Sequence, residues 1–175
     1  AMYGYAEQNK LPFLVPVETS GTLTEREETV AALEAVGQAY WPTYFETVSR
    51  LLKPGGRACI QSIVIADRHF ERYLRGTDFI QQYIFPGGCL PSPGAVREQA
   101  ARAGLEVVDE FAFGADYAST LRQWRERFLH EQDAVLQLGF DTRFLRTWEF
   151  YLAYCEAAFA EGSTDVLQFT LRKPA

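Results

Sequence analysis

Polar and apolar residues alternate along this chain in two periods, and the switches between them divide it into elements. From Pro42 onward Tyr44, Phe45, Val48, Leu51 and Leu52 recur at helical spacing. They predict an amphipathic helix that the KPGG turn, Lys53 to Gly56, brings to an end. RACIQSIVI, residues 57–65, is a short apolar run between punctuation and predicts a buried strand. A two-residue period puts Cys59, Gln61, Ile63 and Ile65 on one of its faces. Asp67 to Phe85 predicts helix, broken near Gly76. Ser92 then has the character of an N-cap, with Pro93 at the first helical position and Gly104 closing the helix. LEVVDEFAFG, residues 105–114, predicts a second strand. Residues 116–138 predict one long helix with Tyr117, Leu121, Trp124 and Phe128 on its apolar stripe. Residues 141–160 predict another, with Phe144, Trp148, Tyr151, Cys155 and Phe159 on its stripe, and DVLQFTLRK, residues 165–173, predicts the last strand.

The upstream part divides at Thr24. Residues 1–23 form a lead-in in which LPFLVPVET has strand character, but Pro12 and Pro16 confine it to an edge or an extended segment. TERE, Thr24 to Glu27, has capping-box spacing, and Val30, Leu33 and Gly37 follow at helical intervals. Residues 24–175 therefore read as one domain. The alternation of helices and strands predicts an α/β layer around a mostly parallel sheet. Three or four strands make a small sheet, which reads as the back half of a larger one.

Composition narrows the chemistry. A chain of 175 residues can bury a core, and a net charge of −6 argues against a general nucleic-acid binder. Three widely spaced cysteines, Cys59, Cys89 and Cys155, and two histidines form no metal-ligand cluster and no disulfide framework. No metal is expected, and the cysteines suit a reducing cytoplasm. The first residues, AMYGYAEQNK, lack a basic start and an apolar core, so no signal peptide is expected there, and no apolar run has the length of a membrane span. Arg68, Arg72 and Arg75 fall on one helical face beside Phe70, Tyr73 and Leu74. That face has two readings, a solvated surface or a seat for anionic lipid headgroups.

LLKPGGRACIQSI, DFIQQYIFPGGCLPSP, FGADYASTLRQWRERF and FYLAYCEAAF occur in that order. Together they resemble the C-terminal half of cyclopropane-fatty-acyl-phospholipid synthases. This branch of the S-adenosylmethionine-dependent methyltransferases also contains the mycolic acid cyclopropane synthases. The resemblance runs from Leu33 to Lys173. LKPGG is common to many methyltransferases, whereas YIFPGGCLPS with FGADY and the WRERF spacing is specific to the branch. The fold implied is part of a Rossmann-like methyltransferase sheet of three to four strands, with a helical lid and two long C-terminal helices.

The activity implied is transfer of a methylene from S-adenosylmethionine to the cis double bond of an unsaturated phospholipid or other acyl chain, at the inner face of the membrane. A bicarbonate ion takes the proton lost as the ring closes. By the same resemblance Glu34 helps hold the bicarbonate and Gln61 stands where histidine is frequent. Ile63 offers backbone to the anion, Tyr117 donates its hydroxyl to it, and Cys155 lies near the acyl pocket. Tyr83, Phe85 and Cys89 belong to a lid-to-helix junction over that pocket, and Trp124, Phe128 and Tyr151 are candidates for lining an acyl tunnel. Each residue also has a plainer reading. Tyr117 and Cys155 lie on apolar stripes where core packing is common, Glu34 suits a solvated helix, and Gln61 needs only some hydrogen-bond partner.

The family's cofactor loop, a G-x-G-x-G turn after a first strand, has no counterpart in the sequence. The sequence therefore leaves three functions open. One is the acyl-side half of such an enzyme, completed by a second protomer or by a chain supplying the nucleotide-binding half. Another is a non-catalytic module that binds acyl lipids or a partner. The third is a related small-molecule methyltransferase.

Overall fold

The structure, a computed structural model, describes residues 33–175. The expected lead-in at 1–23 and the capping box at Thr24 lie outside the described residues. The described residues begin with a short helix α1 (Leu33–Val36), a 3-10 turn (Gln38–Tyr40) and helix α2 (Trp41–Leu51). Strand β1 (Arg57–Ile65) leads to α3 (Asp67–Leu74), α4 (Phe79–Tyr83) and α5 (Pro93–Arg102). Then come β2 (Glu106–Ala112), α6 (Gly114–His130), α7 (Gln132–Gln137), α8 (Thr142–Ala160) and β3 (Thr164–Arg172).

The three strands form a sheet in the order β1-β3-β2. β3 runs antiparallel to both neighbours, in register from Arg57↔Arg172 to Ile65↔Thr164 on one side and, with a bulge between Val107 and Asp109, from Glu106↔Arg172 to Ala112↔Leu167 on the other. The mostly parallel sheet expected from alternation is thus corrected, although β1 and β2 do share a direction. The reason lies in helix count. α6 and α8 form an antiparallel hairpin, with Tyr117 of α6 against Phe159 of α8 and Phe128 against Phe144. Two such helices return the chain to the end of the sheet it left, so the next strand must run backwards.

Strand alternation sends side chains into two cores. On one face Ala58, Ile60 and Val64 of β1 join Leu167, Phe169 and Leu171 of β3 under α2 and α5, whose Trp41, Phe45, Val48, Val96 and Ala100 are buried. On the other face Val166 and Ile63, which sit opposite each other, pack against Ala118 and Leu121 of α6 and Leu152 and Phe159 of α8. The sheet is therefore covered along one face and, near Ile63 and Val166, on the other.

Local chemistry fixes the joints. Ser92 Oγ accepts from Ala95 N with Pro93 at the first turn of α5, as the sequence predicts. Asp165 Oδ1 accepts from Gly114 N at 2.7 Å, which ties the start of β3 to the start of α6. A Cβ at Gly114 would collide with that carboxylate, so glycine is required there. Lys173 Nζ donates to the carbonyls of Ser49 and Leu52, satisfying the end of α2.

Three expectations need correction. Leu51 is 41% exposed, and the inner stripe of α2 is Trp41, Tyr44, Phe45 and Val48, with Leu52 just past its end. The long helix expected over 116–138 breaks at Glu131, and Trp124 is 52% exposed because Ala118 and Leu121 carry the contact. Beyond that break Gly139, with φ of 92°, turns the chain and Asp141 caps α8 through its bond from Phe144 N.

Phe169 is fully buried between the neighbouring strands, while Phe111 on β2 is 58% exposed. Phe169→Ala is expected to cost about 3–5 kcal/mol of unfolding free energy by urea titration. Phe111→Ala is expected to cost less than about 1 kcal/mol in the same titration.

Candidate functional site

The site begins with the break between α3 and α4. Asp78 accepts from Gln81 N, and Gln81 Oε1 accepts from Asp78 N, a reciprocal capping box that launches α4. The Gln81 amide nitrogen also donates to the Tyr73 hydroxyl and to the Gly88 carbonyl, each at 3.1 Å. Leu90 N donates to the same hydroxyl at 3.0 Å. The residues after α4, from Ile84 to Pro91, are thus held by polar groups turned inward while their apolar side chains line a space. Gly87 has φ of 86° and Gly37 φ of 76°, and a Cβ on Gly37 would lie 3.3 Å from the Gly87 carbonyl. That close approach lets Cys89 N donate to the Glu34 carbonyl at 2.9 Å, so the loop is stitched to α1. Ile65 N donates to Pro91 O, which stitches it to β1 as well.

Between this loop, β1 and the α6–α8 hairpin lies a cavity of about 770 Å³. Its apolar wall includes Ile63, Ile65, Ile80, Leu90, Tyr151 and Phe159. Its polar groups include Glu34, His69, Arg72, Asp78, Tyr117 and Cys155. A second hollow of about 470 Å³ lies between α6 and α8, lined by Trp124, Phe128, Trp148 and others. Phe85 and Tyr151 line both, with their rings edge to face at 6.2 Å, and they divide the two spaces.

The structure brings together Glu34, Ile63, Tyr117 and Cys155 of the residues singled out in the sequence, along with Phe85, Cys89 and Tyr151. Glu34 Oε2 accepts from Ser62 Oγ at 2.9 Å, and Ser62 is buried in the strand. Tyr117 lies tilted against Phe159 at 4.9 Å and meets Trp124 edge-on at 6.5 Å. Gln61 does not reach the cavity. It is exposed on β1 and accepts from the Gln168 amide of β3 at 3.0 Å. Tyr83 turns away as well, 64% exposed and tilted against Phe79. Trp124 and Phe128 line the second hollow and not the first.

Sequence reasoning missed Tyr73, Asp78, Gln81 and Ser62. The D-x-x-Q spacing at the start of α4 was the available signal for two of them. Ser62, a hydroxyl on the apolar face of a strand, was another.

Burial governs the titratable groups here. It pushes the Tyr73 hydroxyl up to about 12, with the Leu90 N–H acting in the opposite sense. It raises the Cys155 thiol to about 11, opposed by its hydrogen bond with Tyr151. It raises Tyr151 too, with the neighbouring thiol adding to the effect. Thiol and phenol are neutral acids, so the folded state keeps protons that the unfolded state releases near 9 and 10. Stability is therefore full below pH 9 and falls as pH rises from there through about 11 and 12.

Two measurements follow from this geometry. Alkylation of Cys155 by iodoacetamide, read by peptide mass spectrometry, is expected to be slow at pH 8 and to keep accelerating toward about pH 11. Tyr73→Phe removes an acceptor shared by two N–H groups and is expected to cost about 1–3 kcal/mol in denaturant titration. It is also expected to speed proteolysis within 84–91.

Residues 23–169 match the family model described as mycolic acid cyclopropane synthetase. The chain is 45% identical over 143 residues to tuberculostearic acid methyltransferase UfaA1 of Mycobacterium tuberculosis, covering 81% of this chain and 34% of that protein. It is 36% identical over 144 residues to the cyclopropane-fatty-acyl-phospholipid synthase of Escherichia coli K12, covering 82% of this chain and 36% of the other. The solved structure of mycolic acid cyclopropane synthase CmaA1, complexed with SAH and CTAB, superposes with a TM-score of 0.71 at 28% identity. That match covers 81% of this chain and 52% of that one. The chain thus spans about a third of the length of these two curated relatives and about half of the solved one.

Proposed function

The chain belongs to the mycolic acid cyclopropane synthetase family, and on that premise we propose that it provides the acyl-binding side of an S-adenosylmethionine-dependent methyltransferase acting on lipid double bonds. One observation carries the reading. Glu34, Ile63, Tyr117 and Cys155, far apart in sequence, line one apolar cavity closed by the YIFPGG loop. A cis double bond is a weak nucleophile, and the cation it forms when alkylated survives only where water is kept out. The aromatic walls of this cavity, from Phe85, Tyr151, Tyr154 and Phe159, suit that need.

S-Adenosylmethionine supplies the methyl group. The sequence contains no G-x-G-x-G loop to hold it, so no described residue is assigned to it, and on this reading its binding falls to a nucleotide-binding portion such as a second protomer or a partner chain would supply. An unsaturated phospholipid or other acyl lipid is the proposed acceptor, reached by transient contact with the inner face of the membrane. Among the described residues no helix is long and apolar enough to cross one.

For the proton that leaves as the new carbon is incorporated, the reading places a bicarbonate ion among Glu34, Ile63 and Tyr117. Their chemistry fits such an ion, since a carboxylate accepts its O–H and a phenol donates to its charged oxygens. Glu34 is held in place for this by Ser62. Gln61 takes no part, because its amide is engaged by Gln168 outside the cavity. Cys155 serves as wall, its thiol kept neutral by burial.

The test is lipid mass spectrometry on cells expressing the chain with and without a nucleotide-binding portion from a relative. A gain of one methylene per monounsaturated chain is expected only with both, and Tyr117→Phe is expected to reduce it by about tenfold. Proton NMR of the product separates a ring from a methylene branch. Calorimetry of the chain alone is expected to show no micromolar binding of S-adenosylmethionine. Tight binding would overturn the division of labour proposed.

A further inference from the structure

Two arginines of α3, Arg68 and Arg72, and Arg75 just past its end follow one face, and the structure gives them different roles. Arg68 donates from Nε to His69 Nε2 and from Nη2 to the Gly162 carbonyl, so it ties α3 to the turn before β3. Arg75 pairs with Glu71 at 3.3 Å. The Arg72 guanidinium has no hydrogen bond or ion pair among the described residues, and Arg72 lines the 770 Å³ cavity. The carboxylates that face the same cavity are otherwise engaged. Glu34 accepts from Ser62, and Asp78 caps α4. Arg72, Gly76 and Thr77 are exposed members of the lining, so the cavity meets solvent there.

From this arrangement we propose that Arg72 holds the anionic, phosphate-bearing headgroup of a lipid whose acyl chain fills the cavity. An unpaired guanidinium at the rim of an apolar space is complementary to an amphiphile with an anionic head. Thr77 Oγ1 accepts from Gln82, which leaves its hydroxyl hydrogen to donate at the same rim. His69, with Nε2 accepting from Arg68, carries its proton on Nδ1 when neutral and adds a donor to the lining. Thr164, two residues past the carbonyl that holds Arg68, lines the cavity with a hydroxyl oxygen that has no partner among the described residues. The proposal rests on the reading of this cavity as the acyl site and adds the charge its occupant carries.

Isothermal titration of the purified chain tests it, with dodecyl phosphate, uncharged dodecyl maltoside and inorganic phosphate, each below any micelle concentration. Dodecyl phosphate is expected to bind more tightly than either of the others. Arg72→Gln is expected to weaken it by roughly fivefold or more while leaving the maltoside unchanged. Arg75→Gln, which touches only the paired arginine, is expected to change neither. Equal binding of both amphiphiles with no effect of Arg72→Gln would overturn the headgroup assignment and leave the cavity reading standing. Binding of inorganic phosphate as tightly as dodecyl phosphate would identify a free phosphate compound as the occupant and overturn the lipid assignment. No binding of either amphiphile would overturn the cavity reading itself. Arg72 is exposed, so an unchanged melting temperature should accompany every variant.

Discussion

Strand β3 is the constraint on which the rest depends. β1 and β2 do not pair with each other, and both hydrogen-bond to β3. Its odd-numbered Leu167, Phe169 and Leu171 complete the core beneath α2 and α5, while Val166 completes the one beneath α6 and α8. Its first residues also set the site. Asp165 accepts from Gly114 N, which fixes the start of α6 and with it the turn that presents Tyr117 to the cavity. Leu167, Phe169 and Leu171 sit on the buried face while Gln168 and Thr170 face the more open side, so a one-residue slip would send Phe169 out of its core.

The cavity survives next to this core because its loop satisfies its own backbone. Apolar side chains in an irregular loop ordinarily bring unpaired N–H and carbonyl groups with them, and burying those is costly. Here Gln81 and Tyr73 absorb the Gly88 carbonyl and the Leu90 N–H, α1 takes the Cys89 N–H, and β1 takes the Pro91 carbonyl. Gly37 and Gly88 let the backbone segments come close enough for those bonds, and Gly87 supplies the positive φ of the turn. The greasy loop is therefore a wall with its polar side sewn shut, which is what a water-excluding acyl site requires.

Much of this was legible in the sequence. β1 falls on RACIQSIVI to the residue, Ser92 and Pro93 begin α5, and the break near Gly76 separates α3 from α4. Those features are set by local chemistry, namely apolar runs, caps and glycine turns. Strand direction was not legible, since it depends on how the α6–α8 hairpin returns, a tertiary matter. Nor was the facing of aromatic stripes. Trp124 and Leu51 follow the same period as their buried neighbours, but helix rotation turns them outward. Within the site, Glu34, Ile63, Tyr117 and Cys155, grouped by the resemblance, line one cavity, whereas Gln61 accepts from Gln168 across the strands. No sequence period could reveal that pairing, because it joins residues more than a hundred positions apart.

The central claim is that the cavity takes the unsaturated part of an acyl chain. Methyl-labelled isoleucines report on it directly, since Ile63, Ile65 and Ile80 line the cavity whereas Ile60 is sealed in the opposite core. Intermolecular NOEs between these methyls and the olefinic protons of a cis-monounsaturated single-chain phospholipid are the decisive measurement. The account predicts cross-peaks to Ile63 and its cavity neighbours and none to Ile60. Saturable binding of the lipid without cross-peaks to Ile63, Ile65 or Ile80 would contradict it.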